Sequence, residues 1–162
     1  MSETLPNHTI QPIDSIPYES WFTYPVRVHP HHTDYAGVVW HGTYLAWLEE
    51  ARVEGLRSLG IHFEDLVSMG CDIPVVDLSI RYRRSLTLGK QAVVQSRILP
   101  YEKVRIVWEQ IVQSPDANVT YITAQVVNVP LDREKGTILR KLPPELKHAL
   151  SKVSGTSRTV EP

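Results

Sequence analysis

One segment of this 162-residue chain has the periodicity of a long helix, and it stands among segments with the character of strands. In residues 43–59 leucines recur at helical spacing, and Gly60 follows where glycine commonly ends a helix. Residues 21–29, before it, are rich in aromatic and β-branched side chains and predict a first strand. A single long helix of this kind must bury its apolar face against a sheet.

Four further strands are predicted after the helix, in residues 74–86, 91–99, 103–113 and 118–129. Short turn segments separate them, and connections of this length favour antiparallel neighbours. A last strand near Thr137 and a short helix opened by Pro143 and Pro144 complete the pattern. The sequence therefore predicts an α+β fold in which one helix packs on an antiparallel sheet of about five strands.

The length predicts one domain, in residues 18–150. The polar residues 1–17 and 151–162 are expected to be flexible tails. The chain has no secretion signal and no run of roughly 20 apolar residues that would span a membrane. The lone cysteine, Cys71, fits a reducing compartment and is expected to be a buried or incidental thiol. We therefore expect a cytoplasmic protein.

The charge balance argues against nucleic acid as a partner. The chain has 17 basic and 18 acidic residues, whereas a duplex-binding protein normally has a clear basic excess. A few cations could still contact the phosphates of one small anionic ligand.

Apolar residues on both faces of the later strands predict a partner for the sheet. In residues 103–113, Ile106 and Trp108 share one face while Val107 and Ile111 share the other. A sheet with one solvated face would carry polar residues there. The helix covers one face, and a second copy of the chain is the simplest cover for the other.

Two charged residues fall on the expected apolar stripe of the helix. At about 100° per residue, Glu49 and Arg52 lie with Leu45, Leu48 and Leu56. A charge on a buried face is unfavourable unless it is paired. Two interpretations stay open: a structural ion pair between Glu49 and Arg52, or a polar lining to a ligand tunnel along the helix.

The densest chemistry lies just before the helix, in residues 32–44. Asp34 stands seven residues before His41, across a turn at Ala36-Gly37 and at the entrance to the helix. Unpaired N–H groups at a helix start can stabilise negative charge on a carbonyl oxygen. Asp34 could activate water or attack a carbonyl, and His41 could orient substrate or act as a general acid. Asp34 could equally be a turn or cap residue, and spacing alone leaves both interpretations open.

The histidines near Asp34 do not predict a metal site. His29, His31 and His32 lie on one extended segment, where side chains alternate faces, and no second ligand pair has metal spacing. We expect neither a metal nor a cofactor.

Between positions 27 and 60, several residues are in register with the sequence signature of a known family. They are Asp34, Gly37, Val38, Val39, His41, Tyr44, Glu49, Ala51 and Arg52. With them the segment resembles the 4-hydroxybenzoyl-CoA thioesterase-like family of hotdog proteins. Residues 80–89, an aromatic strand end that leads to a glycine turn, resemble the family's second recognisable stretch, and the likeness extends over about residues 23–150.

The resemblance implies a hotdog fold, in which an antiparallel sheet of five to six strands wraps around one long central helix. It also implies an acyl-CoA thioesterase with Asp34 as nucleophile or general base, the helix start as oxyanion hole and His41 as a helper. Residues around the helix start and on its face are expected to contact the substrate: Tyr35, Trp40, Gly42, Thr43 and Glu49. Some relatives have a tyrosine where this chain has Pro30, so that role is unsupported here.

Relatives of this family form dimers or tetramers with the active site at the subunit interface, so a homodimer or homotetramer is expected. Arg83, Arg84 and Lys90 are the candidate cations for CoA phosphates, although charged strand ends are often simply solvated. The acyl group, aromatic or short to medium aliphatic, and its carrier stay open. Two alternatives also stay open: a non-catalytic acyl-CoA or acyl-carrier binding protein, and a hydroxyacyl-thioester dehydratase.

Overall fold

A computed structural model of the chain describes residues 21–100 and 103–153. The predicted N-terminal tail lies outside these residues. In chain order the elements are β1 (Phe22–Arg27), α1 (Thr43–Ser58), α2 (Phe63–Ser68), β2 (Cys71–Asp72), β3 (Val75–Tyr82), β4 (Gln91–Ile98), β5 (Ile106–Gln113), β6 (Thr120–Asn128), β7 (Leu131–Asp132), β8 (Thr137–Ile138) and α3 (Pro144–Val153).

Five of the strands form one antiparallel sheet in the order β1-β4-β5-β6-β3, and α1 packs against it, with contacts to β1 and β4. The predicted α+β architecture is therefore confirmed. β1 and β3 are the two edges of this sheet, while β2, β7 and β8 make a small second sheet. No helix within the described residues is long and apolar enough to cross a membrane.

Three short elements and one boundary differ from the sequence prediction. α2, β2 and β7 were not predicted, because elements of two to six residues are too short to establish a period. The C-terminal tail predicted from residue 151 is wrong at its start, since α3 continues to Val153. The apolar face of α3, which includes Leu146 and Leu150, packs into the core. This packing stabilises the helix beyond the predicted boundary.

The buried face of α1 is rotated from the predicted leucine stripe. Leu45 is 41% exposed and Glu49 is exposed, so the prediction that these two lie on the buried face is wrong. Tyr44 and Trp47, with 3% exposure each, set the face instead. Aromatic side chains bury more area than leucine, so the helix turns them toward the sheet. Arg52 is the predicted charge that does lie on this buried face, at 8% exposure.

A buried polar network joins α1 to the sheet around Gln110 of β5, which has no solvent exposure. Arg52 Nη1 donates to Gln110 Oε1 at 2.9 Å. Gln110 Nε2 in turn donates to the carbonyl of Leu48 at 3.0 Å and to Ser96 Oγ at 2.8 Å. Both ends of the amide are therefore satisfied, and the network holds α1 at one position along the sheet.

The sheet face away from α1 carries polar residues among the apolar ones from which a second cover was predicted. Cross-strand neighbours there are mixed: Gln95 lies beside Ile111, and Arg97 forms an ion pair with Glu109 at 2.6 Å. In β6 the alternation of buried and outward residues is interrupted, because a register shift opposite Val112 and Gln113 lets consecutive residues Tyr121 and Ile122 both enter the core beside α1.

Replacing Gln110 by leucine is expected to lower the free energy of unfolding by about 3 kcal/mol, because a buried guanidinium loses its only hydrogen bond within the described chain. Urea denaturation measures the change. Gln113→Leu, on the half-buried outer side of the same strand, is the matched control and should change stability by less than about 0.5 kcal/mol. Equal effects in the two variants would contradict the role of the network.

Candidate active site

The segment between β1 and α1 folds back on itself as a narrow hairpin. Thr33 forms an isolated antiparallel bridge with Val39, and the N–H of Asp34 donates to the carbonyl of Val38 at 2.9 Å. Gly37 closes the turn at φ +74°, a left-handed conformation that favours glycine. The hairpin thus carries Asp34 on one arm and leads directly into α1 from the other.

Asp34 is held by its own turn, with one carboxylate oxygen engaged. Oδ1 accepts a hydrogen bond from the N–H of Ala36 at 2.8 Å, so Asp34 has the side-chain hydrogen bond of a turn residue. The second oxygen, Oδ2, has no hydrogen-bond or ion-pair partner in residues 21–100 and 103–153. The side chain is half-buried, so a fixed carboxylate presents a free oxygen at the surface of the loop.

The start of α1 leaves backbone N–H groups unpaired. The N-cap residue, Gly42, provides no side-chain cap. The N–H of Trp40 donates to His32 O at 2.9 Å and that of Thr43 to Trp40 O at 2.9 Å, whereas those of His41 and Gly42 have no partner within the described residues. At the helix start, where the resemblance implies an oxyanion hole, the N–H groups of His41 and Gly42 are therefore the ones free to donate to a ligand's oxygen.

The indole of Trp40 lies over Gly42 and would have to move to admit a side chain there. A Cβ on Gly42 would lie 2.2 Å from Trp40 Cζ3, far inside van der Waals contact. Trp40 is itself 51% exposed, so its ring covers the backbone of the helix start and still presents a face to solvent. A ligand that reaches the unpaired N–H groups would pass beside this ring.

Two hydroxyl groups fix the helix start. Thr43 Oγ1 donates to His32 O at 3.0 Å, which engages the hydroxyl within the chain. Tyr82 Oη donates to His41 O at 2.9 Å and thereby joins the end of β3 to the site. Tyr82 was not among the predicted site residues, although it lies in the strand end at residues 80–89 that resembles the family.

Asp34 and His41 do not meet within one chain. The hairpin pairs the backbone of Asp34 with Val38, and His41 lies beyond that pair in the turn that leads into α1. No hydrogen bond joins the two side chains in the described structure. The imidazole of His41 is exposed and lies against Trp40, with 4.8 Å between ring centroids.

The three neighbouring histidines support the base of the hairpin. Their rings are in mutual contact, and His32 Nδ1 accepts the N–H of His29 at 2.9 Å. His32 also packs edge-on against Trp47. Burial lowers the pKa of His32, and the nearby His31 and His29 lower it further. Among the described residues no His, Cys, Asp and Glu side chains form a group that could hold a metal ion.

The other predicted site residues lie at the surface. Tyr35 is fully exposed at the tip of the hairpin, and Glu49 lies on the exposed side of α1. Arg83, Arg84 and Lys90 are also exposed. The turn that contains Lys90 is joined to the hairpin, because the N–H of Leu88 donates to the carbonyl of Gly37 at 3.1 Å.

Cys71 is buried, away from this arrangement. Burial raises the pKa of its thiol, which disfavours the thiolate that a nucleophile needs. What this part of the described structure offers to a ligand is a half-buried carboxylate and two N–H groups without an observed partner. Together they can accept a proton from water and stabilise negative charge on a carbonyl oxygen.

Comparison with solved structures supports this fold. A DHNA-CoA thioesterase from Staphylococcus aureus superposes with a TM-score of 0.76 at 23% identity, over 82% of this chain and 89% of the other. A 1,4-dihydroxy-2-naphthoyl-CoA thioesterase from Synechocystis gives 0.75 at 23% identity, over 81% and 96%. At this identity the likeness concerns the fold, which confirms the predicted hotdog architecture.

Sequence comparison gives the family. A Synechocystis protein with a provisional esterase name is 49% identical over 135 residues, 83% of this chain and 81% of its own length. The acyl-CoA thioesterase YbgC of Haemophilus influenzae is 30% identical over 72% of this chain and 87% of its own. The model of the thioesterase superfamily matches residues 36–121. The chain belongs to the thioesterase superfamily.

Proposed function

We propose that this protein hydrolyses an acyl-CoA thioester to a free acid and CoA, with Asp34 as the catalytic carboxylate. The observation that carries the proposal is the pair of unpaired N–H groups of His41 and Gly42 at the start of α1, at the base of the hairpin that holds Asp34. Acyl-CoA is the substrate named for the YbgC relatives, which supports the same class of thioester here.

The helix start would act on the carbonyl. As water or the carboxylate adds to the thioester carbon, the carbonyl oxygen gains negative charge and accepts hydrogen bonds from the two N–H groups. The positive end of the helix dipole adds to this stabilisation. The N–H groups need no rearrangement, because Thr43, Tyr82 and Trp40 already fix the backbone around them.

Asp34 would act on water or on the carbonyl carbon. As a general base, Oδ2 takes a proton from the attacking water, the C–S bond breaks, and the CoA thiolate leaves and is protonated. As a nucleophile, the carboxylate forms a mixed anhydride that water then hydrolyses. Both routes release the same products, and the free Oδ2 serves either. His41 would contact the thioester or protonate the thiolate.

The cationic turns beside the site would receive the CoA phosphates. Arg83 and Arg84 directly follow Tyr82, whose hydroxyl binds the carbonyl of His41. The backbone N–H groups of both arginines donate to Tyr121 O, so their side chains extend from a fixed turn. Lys90 lies on the turn that is joined to Gly37. All three side chains are exposed, as cations that bind phosphates at a surface should be.

We further propose that the site works in a dimer formed through the edge strand β3. β3 has β6 on one side only. Leu78 and Tyr82 face the same way as the core residues of β6, yet they are 39% and 50% exposed. Unpaired backbone groups beside exposed apolar side chains are the properties of an edge that pairs with a second copy.

Thiol release from a panel of aliphatic and aromatic acyl-CoAs tests the activity. Wild-type protein should hydrolyse at least one member, and Asp34→Ala should lower kcat by roughly 100- to 10,000-fold, because the carboxylate acts in the transition state. Asp65→Ala, an exposed carboxylate on α2, is the matched control and should be unaffected. Binding without thiol release, or undiminished activity in Asp34→Ala, would refute the proposal.

The mass of the protein in solution tests the interface. Wild-type protein should sediment as a dimer or as a larger assembly with an even number of subunits. Leu78→Lys should shift it toward the monomer, because the introduced charge would be buried in the subunit interface. Val67→Lys, at an apolar position on α2 with 41% exposure, should leave the assembly intact. A wild-type monomer, or an unaltered assembly in Leu78→Lys, would contradict pairing through β3.

A further inference from the structure

A cavity of about 240 Å³ lies between the second half of α1 and the strands β3, β5 and β6. Most of its wall is apolar and includes Phe63 and Trp108. Three polar side chains also line it: Glu49, Arg52 and Asn128. The proposed mechanism uses neither Arg52 nor Asn128, and packing alone explains neither residue.

Arg52 brings a desolvated cation to this cavity. It makes one hydrogen bond, from Nη1 to Gln110, and no carboxylate lies within 4.0 Å of it in the described chain. Nε and Nη2 consequently keep free N–H donors. Burial lowers the pKa of Arg52 to about 10, while the charge of Glu49 raises it, so the guanidinium stays protonated at neutral pH. A buried arginine with unused donors is unfavourable unless something accepts from them.

Asn128 adds a buried acceptor without a partner. Its Nδ2 donates to the carbonyl of Ile73 at 2.9 Å, which fixes the orientation of the amide. Its Oδ1 has no hydrogen-bond partner among the described residues, although the residue is only 5% exposed. Unsatisfied buried oxygens are rare in folded proteins and call for an explanation. The residues that line this one cavity thus include a guanidinium with unused donors and an amide with an unused acceptor.

The cavity lies where a dimer would bring it to a second active site. Pro74 and Val75, at the start of β3, form part of its wall. If two β3 strands pair antiparallel about a two-fold axis, the start of one lies beside the end of the other. Tyr82, at that end, binds the carbonyl of His41. The cavity of one subunit would therefore open beside the hairpin and helix start of its partner.

We propose that this cavity receives the far end of the acyl group and selects acyl groups that carry a hydroxyl there, with Arg52 as the specificity-determining residue. The inference rests on the proposed thioesterase function. The hydroxyl oxygen would accept from Arg52, its hydrogen would be donated to Asn128 Oδ1, and the carbon chain would pack on the apolar wall. A carboxylate fits less well, because the negative charge of Glu49 in the wall of the same cavity would repel it.

A series of acyl-CoAs from butanoyl to decanoyl tests the inference. At each chain length, the compounds differ only at the chain end, which is a methyl, a hydroxymethyl or a carboxylate group. For wild-type protein, kcat/KM for the hydroxyl member should exceed that for the methyl member about tenfold or more at the preferred length. Arg52→Met should abolish this preference. Arg52→Lys, which keeps the charge and can still reach Gln110, should reduce it strongly because the forked donors are lost. Arg57→Met, an exposed and ion-paired arginine on the same helix, should retain it.

Dissociation constants for thioether analogues of the same series, which cannot be hydrolysed, separate this inference from the proposed function. A hydroxyl preference in binding without any thioester hydrolysis would refute the function and support the subsite. Hydrolysis with equal kcat/KM for hydroxyl and methyl members would refute the subsite alone. A preference for the carboxylate, or a hydroxyl preference that persists in both Arg52 variants, would also overturn it.

Discussion

The packing of α1 against the sheet determines where the helix begins, and the candidate site depends on that beginning. Tyr44 and Trp47 bury the first turns, and the Gln110 network joins the middle of the helix to β5 and β4. The residues before Thr43 must then turn away from the sheet within a short distance. The hairpin that carries Asp34 is the result, and it cannot shift along the chain without disturbing this packing.

A helix start without a side-chain cap gives up a small amount of stability. A serine or aspartate at the position of Gly42 would ordinarily add about a few tenths of a kcal/mol by accepting from the first N–H groups. Here the indole of Trp40 lies over that position and would have to move to admit a side chain, and the N–H groups of His41 and Gly42 have no partner within the described residues. The hydroxyl groups of Thr43 and Tyr82 fix the surrounding backbone, so these unpaired N–H groups belong to an ordered segment.

Much of this arrangement could be predicted from the sequence, and the failures have identifiable causes. The long helix, the sheet strands and the position of Asp34 before the helix all follow from periodicity and turn residues. The face of α1 was misplaced because the prediction followed leucines, whereas Tyr44 and Trp47 carry more buried area. The register shift opposite Gln113, which brings two consecutive residues of β6 into the core, cannot be recognised from alternation. Tyr82 and Asn128 are distant in sequence from the residues they serve, so only the folded chain reveals their contacts with His41 and Ile73.

The central claim is that the unpaired N–H groups at the start of α1 bind the thioester carbonyl. Difference infrared spectroscopy of a ¹³C-carbonyl acyl-CoA bound to Asp34→Asn, at saturation established by calorimetry, measures this directly. The account predicts that the thioester stretch moves to lower wavenumber than in water, because two preorganised donors in a partly buried site polarise the carbonyl. A band that stays at its aqueous position, or moves to higher wavenumber, while the ligand is bound would contradict it.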